Sequence, residues 1–434
     1  DTVKAMGDIA QHVLAVIRAV KPWFTTVAIT GSNGKTTTKE LIRTLCTDGW
    51  LALERRRVHA TPGNFNNFIG VPLTLFALRW GHDVAVLEVG TSAFGEIRRL
   101  VEIVQPDVRV LTSVSTAHLD GLGDEAGVLR AKGELFEGMK PADVALMEAS
   151  LWERLTEANL LDDAGRCGLF GLPAAIADAR ASGGFEGMSV TAQRSEEEGA
   201  LALACVDEGS DPLTWRVEAP LVGDHNDANL AGALAAMVWG ARRLWGEEAA
   251  VTTRGGAINL SSVELPAGRL AVRQGVGSFG GVTLVDDCYN ANPGSMRAGI
   301  AVLVSLALEQ GGRPVAVLGD MFELGDQAEL LHKEVGRNAA EAGVALVVGF
   351  GTLAAQIVAG VQTLDTASEV RHVAVRDTGA GEAVDGVLAL LTAWVKPGDV
   401  VLVKGSRGMR MERIVQGMTT ATTPQDPTVG QGER

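Results

Sequence analysis

Apolar residues recur along the chain at two spacings. Val3, Met6, Ala10, Val13, Leu14, Ile17 and Val20 fall at helical intervals and predict one amphipathic helix. Short unbroken runs predict buried strands: Val27 to Ile29 leads into a Gly-bearing turn and a helical pattern, while Val84 to Leu87 and Val108 to Leu111 each precede a loop rich in Gly, Ser or Thr. Strand, turn and helix in that order predict an α/β domain on a parallel sheet. Between Leu151 and Gly223 the pattern shortens to alternating runs, Leu201 to Cys205 and Leu213 to Val217, which predict a small antiparallel insert. Ser195-Glu196-Glu197-Glu198-Gly199 reads as its solvated hairpin tip. From Val282 a second alternation begins, with apolar runs at Val282 to Val285, Val315 to Leu318, Ala345 to Val348 and Val400 to Val403. Pro266 and Gly268 interrupt the pattern, so domains are expected over 1–266 and 267–417, with a disordered Thr, Gln, Pro and Gly-rich tail over 418–434.

Composition changes this picture little. A chain of 434 residues, 46% hydrophobic and 21% charged, has room for two or three globular domains. Cys46, Cys167, Cys205 and Cys288 lie far apart without C-x-x-C spacing, so reduced, mostly buried thiols are expected rather than disulfides or a zinc site. A formal charge of -15 argues against a nucleic-acid surface, which needs clustered Lys and Arg. Any anionic ligand must then be held by local basic residues. There is no signal pattern and no run of about 18 apolar residues, so a cytoplasmic protein without a membrane partner is expected.

Candidate chemistry begins at Thr30-Gly31-Ser32-Asn33-Gly34-Lys35-Thr36-Thr37, between a predicted strand and a predicted helix. Backbone N–H groups of such a turn hold phosphate oxygens, Lys35 would reach the terminal phosphates and Thr36 a magnesium ion. The strict phosphate-loop pattern fails, because its first Gly falls on Ile29, and a plain Gly-rich helix cap stays open. Glu88 ends the Val84 strand, where ligands gather in a parallel sheet; it is either a magnesium ligand or an ordinary strand-end carboxylate. His118 follows the next strand and is structural unless it has company. Between Asp124 and Met139, Lys132 falls inside the apolar stripe of Val128, Leu129, Leu135, Phe136 and Met139. It either snorkels to the helix edge or is held in the site, as a cation or as a carbamylated, anionic metal ligand.

Taken together these segments resemble the Mur ligase family, and within it the branch that adds D-alanyl-D-alanine. The likeness runs from Asp1 to about Gln416 through Thr61-Pro62-Gly63-Asn64-Phe65-Asn66-Asn67, Glu88-Val89-Gly90, Ala131-Lys132-Gly133-Glu134, His225-Asn226 with Asn229, Gly268-Arg269, Asp286 to Pro293, Gly319-Asp320-Met321 and Lys404 to Glu412. It implies a P-loop-type ATPase domain followed by a Rossmann-like α/β domain. It also implies a monomeric enzyme of cell-wall synthesis acting on a UDP-linked muramoyl tripeptide and D-alanyl-D-alanine through an acyl phosphate.

By the same resemblance Lys35 and Thr36 serve ATP and a first magnesium ion together with Glu88, and His118 with carbamylated Lys132 holds a second. Asn226 lies near adenine, Asp287 near ribose and Arg269 at the hinge, while Asn66, Asn67, Asn292, Lys404 and Arg407 face the acceptor or the dipeptide. Cys288 stands where the family usually has Ser. The family carries an N-terminal uridine-gripping domain, and the sequence opens at Asp1 without Met, so a truncated chain is the expectation. The alternatives are a related ligase for a folate or cyanophycin-type acceptor and a nucleotide-binding core without full activity. A GTPase is disfavoured by the lack of an N-K-x-D signal.

Overall fold

The computed structural model describes residues 1–47, 57–161, 166–183, 185, 187–195, 201–207, 211–219, 221–245, 256–263, 265–364, 368–374 and 381–420. The acidic tip at 196–199 and the tail beyond 420 lie outside the described residues. The chain divides into two compact units, Asp1–Leu265 and Pro266–Arg434.

The first unit opens with the helix Thr2–Val20, capped by the Asp1 carboxylate and buried along Gly7, Ala10, Leu14 and Ile17. Ten strands follow: β1 (Thr25–Thr30), β2 (Val58–Ala60), β3 (Val84–Glu88), β4 (Val108–Leu111), β5 (Val144–Glu148), β6 (Arg166–Gly171), β7 (Met188–Arg194), β8 (Leu201–Val206), β9 (Leu213–Glu218) and β10 (Gly256–Asn259). They form one sheet in the order β10-β9-β8-β7-β6-β5-β4-β1-β3-β2. Strands β1, β3 and β4 are buried at every position, which is why they read as unbroken apolar runs. The expected antiparallel segment is present as β7, β8 and β9, but it continues the central sheet, because β7 pairs in parallel with β6 before β8 reverses direction. Its alternating pattern comes from one covered and one open face. The helix Asp224–Trp245 packs its Leu230 to Trp239 stretch into the core that this sheet shares with Leu41, Ile42 and Leu45.

The helix carrying Lys132 spans Glu125–Gly133 and gives way to a 3-10 turn over Glu134–Phe136, so the apolar stripe out to Met139 is not one continuous helix. Arg109 holds the segment that follows. From the middle of β4 its guanidinium donates to the carbonyls of Leu135 at 2.9 Å and Glu137 at 2.7 Å. Asp143 balances the charge at 3.2 Å, with both side chains almost wholly buried.

The second unit holds β11 (Ala271–Gln274), β12 (Thr283–Asp287), β13 (Pro314–Gly319), β14 (Leu346–Phe350), β15 (Glu369–Val373) and β16 (Val400–Lys404) in the order β11-β12-β16-β13-β14-β15. All the pairings are parallel except β11 with β12. The helices Pro293–Gln310, Ala328–Glu341, Ala354–Val361 and Gly381–Trp394 connect the strands. Met418, inside the expected tail, is buried in the last helix Glu412–Thr419. Among the described residues no helix is long and apolar enough to cross a membrane.

Replacing Asp143 by Ala strands the buried Arg109 charge and should cost about 3 to 5 kcal/mol. Denaturant unfolding of the Asp143→Ala variant reads this directly, and a loss below about 1 kcal/mol would show that the clamp is solvated.

Candidate active site

Parallel pairing sets three strand ends side by side. Ile29 of β1 lies opposite Glu88 of β3, and Thr30 lies opposite Leu111 of β4. The loops leaving these ends therefore converge, as ligand-binding loops do in open α/β sheets.

The loop after β1 is braced against the loop after β4. Ser32 N–H donates to the Ser113 carbonyl at 2.9 Å, Asn33 N–H to Ser113 Oγ at 2.8 Å and Thr112 Oγ1 to the Asn33 carbonyl at 2.5 Å. Gly34 has φ of +86°, and a Cβ there would strike Asn229 Oδ1, so only glycine fits. The helix Lys35–Thr47 starts at once, with Thr36 and Thr37 buried. Its first turn points its N–H groups back at the loop, an arrangement suited to anions. Lys35 Nζ lies 2.5 Å from the Gly31 carbonyl, within the loop it is expected to serve.

Glu88 is 1% exposed, and its Oε1 has no hydrogen-bond partner. A buried carboxylate oxygen left in that state calls for a cation. Lys39 lies 3.5 Å away. His118 has φ of +56° and precedes the short helix Leu119–Leu122. Lys132 is 1% exposed, and among the described residues no carboxylate acts on it. Burial drives its pKa well below the ordinary lysine value, and the like charge of Lys35 pushes the same way. The two lysines thus belong to one neighbourhood, and snorkelling to the helix edge does not describe Lys132.

Asn66 and Asn67 separate in role. Asn66 packs against Gly90 and its carbonyl accepts the Gly90 N–H at 2.8 Å. Asn67 Oδ1 accepts from Ile69 and Gly70 N–H at 3.1 and 2.9 Å, capping the helix Gly70–Phe76. Asn226 sits in the first turn of Asp224–Trp245 and joins the phosphate loop through Asn229, which donates to Asn226 Oδ1 at 3.3 Å and accepts from Thr38 Oγ1 at 3.4 Å. Sequence reasoning gave Asn229 no role and passed over Lys39. The signal for Lys39 was a second lysine one helical turn after Lys35, on the apolar face.

In the second unit, Asp287 and Lys404 end neighbouring strands in register. They form an ion pair at 2.6 Å, and Lys404 also donates to the Asn290 carbonyl at 3.0 Å. Burial pushes the Asp287 carboxyl up, and Lys404 acts against that rise. The two residues were expected at ribose and at the acceptor respectively; here they are a single unit of charge. Arg269 stacks over the Tyr289 ring at 4.2 Å, with Arg407 at 5.9 Å from it. Asn292 is engaged in a capping box with Ser295 at the start of Pro293–Gln310.

A braced Gly-rich loop at the strand ends, beside a buried lysine with no carboxylate and a carboxylate oxygen with no hydrogen bond, is the site of a nucleotide-binding α/β protein. The pattern of the Mur ligase middle domain matches residues 29–237, and that of the Mur ligase, glutamate ligase domain matches residues 268–407. The UDP-N-acetylmuramoyl-tripeptide--D-alanyl-D-alanine ligase of Escherichia coli is 33% identical over 96% of this chain and 81% of its own length. MurF from Acinetobacter baumannii superposes with a TM-score of 0.72 at 28% identity, covering 96% of this chain and 80% of that one. MurF ligase from Thermotoga maritima, solved in complex with ADP, gives 0.71 at 26% identity over 96% of this chain and 83% of that one. This chain belongs to the Mur ligase family.

The folded state disfavours protonated Lys132, whereas the unfolded chain binds that proton up to its ordinary pKa. The lysine therefore costs stability below about pH 10 and ceases to do so above it. Lys132→Met should raise the melting temperature by several degrees at pH 7 in carbon dioxide-free buffer, with the gain shrinking toward pH 10. A gain independent of pH would place the ammonium in water.

Proposed function

We propose that this chain is an ATP-dependent ligase that joins D-alanyl-D-alanine to UDP-N-acetylmuramoyl-tripeptide in peptidoglycan synthesis. The reading is carried by end-to-end likeness, over 96% of the chain, to relatives named for that reaction. The site's chemistry supports it. A carboxylate is a poor acyl donor, so the free carboxyl of the tripeptide attacks the γ-phosphorus of ATP, ADP leaves, and an acyl phosphate forms. The dipeptide amine then attacks that carbonyl, phosphate leaves and the amine gives up a proton. No nucleophilic side chain is required, and Cys288, whose thiol donates to Asp286 at 2.9 Å with its pKa pushed up by burial, is unsuited to be one.

In this reading the backbone of Gly31, Ser32, Asn33 and Gly34 with Thr37 cradles the phosphates, and Lys35 offsets their charge as it builds. Thr36, Glu88, His118 and Lys132, the last carbamylated, would hold two magnesium ions. The orphaned Glu88 Oε1 fits a cation, and the depressed pKa of Lys132 favours the free amine that reacts with carbon dioxide. Among the described residues no three His, Cys, Asp or Glu side chains gather closely enough to hold a metal by themselves, which suits an ion that shares its shell with nucleotide phosphates. Magnesium, when bound, would offset the repulsion between carboxylate and triphosphate. Asn226 is assigned to adenine, Asp287 to ribose, Arg269 to the hinge, and Asn66, Lys404 and Arg407 to the acceptor or the dipeptide. Asn67 and Asn292, as helix caps, shape those loops.

Phosphate release with D-alanyl-D-alanine and the muramoyl tripeptide, run beside folate with glutamate, tests the assignment; release with the second pair alone would refute it. Lys132→Ala should lower turnover about 100- to 1000-fold. Near-parental turnover in that variant would remove Lys132 from the machinery.

A further inference from the structure

Helix Lys35–Thr47 carries a second lysine that phosphate-loop chemistry does not call for. Lys39 is completely buried. Its ammonium donates to the carbonyls of Thr61 at 2.7 Å and Gly63 at 3.2 Å. Two carboxylates flank it, Glu40 Oε1 at 2.9 Å and Glu88 Oε1 at 3.5 Å. Thr61 is fixed in turn, its N–H bonded to the Val86 carbonyl at 2.9 Å and its Oγ1 accepting the Glu88 N–H at 3.0 Å.

Three segments therefore meet at one ammonium: the phosphate-loop helix, the end of β3 and the loop from Thr61 to Asn67. A neutral donor could satisfy the two carbonyls, but a buried position between two carboxylates asks for positive charge. The division of contacts carries the argument. Lys39 spends its hydrogen bonds on carbonyls and meets Glu88 by charge alone, so Glu88 Oε1 keeps its lone pairs.

We propose that Lys39 is a positioning residue that fixes the Glu88 carboxylate without occupying it and ties the Thr61 to Asn67 loop to it, so that one side chain sets the cation ligand through its charge and the acceptor loop through its donated hydrogen bonds. This rests on the reading of Glu88 as a cation ligand.

Lys39→Gln keeps a donor for the carbonyls and removes the charge, Lys39→Met removes both, and Lys39→Arg restores the charge. Manganese affinity in the presence of ADP, read by electron paramagnetic resonance on the full chain, should fall about 10- to 100-fold in the Gln and Met variants and recover in part in Arg. Amide exchange over residues 58–67 should quicken in Met and stay near parental in Gln. If Lys39→Met fails to fold, Lys39→Gln decides alone. Parental manganese affinity in folded Lys39→Gln, with weakened binding in Glu88→Gln, overturns the proposal by itself. Parental affinity in Glu88→Gln overturns the ligand reading of Glu88 and the proposal with it.

Discussion

Strands β4, β1 and β3 run side by side in one direction, and the site in the first unit depends on that shared polarity. A parallel pair needs a crossover between its strands, so all the loops that leave the carboxyl ends emerge at one edge. The Gly31 to Gly34 loop, Glu88 and the Thr112 to Ser115 loop are brought to one end of the sheet for this reason. The glycines then allow close approach: Gly34 lets Asn229 reach the phosphate loop, and with it the first turn of a helix nearly two hundred residues away.

Around this sheet the fold buries charge of both signs. Arg109 and Asp143 neutralise one another and keep the end of the Lys132 helix in place. Lys39 is surrounded by carbonyls and carboxylates. Lys132 has only burial and the repulsion of Lys35. Taking a charge out of water is expensive, so a folded protein tolerates such an asymmetry where something else completes it. Glu88 Oε1 accepts no hydrogen bond and meets Lys39 at 3.5 Å.

The second unit concentrates its polar groups in the same way, at the carboxyl ends of β12 and β16. There the register sets Asp287 against Lys404, and the Tyr289 ring gathers the guanidinium of Arg269. The pairing changes how these residues can be used. A buried aspartate and lysine that satisfy each other leave little net charge, and the arginines over the ring carry what remains.

The sequence by itself determined the local matters. Consecutive β-branched and aliphatic residues specify strands buried on both faces, the Gly31 to Thr37 segment specifies a turn opening a helix, and an apolar stripe interrupted by Lys132 singles that lysine out, at the helix edge or in the site. These depend on neighbours in the chain, through backbone sterics and helical period. The tertiary structure decided what depends on partners distant in sequence. The continuity of β7 to β9 with the central sheet was hidden because alternation reports a covered face and not which sheet the strand joins. The anchoring of the segment after Gly133 depends on Arg109, the pairing of Asp287 with Lys404 on strand register, and the capping duty of Asn67 on the turn that follows it. Lys39 was passed over because its partners, Thr61, Gly63 and Glu88, are distant in sequence and are set side by side by the pairing of β2 with β3.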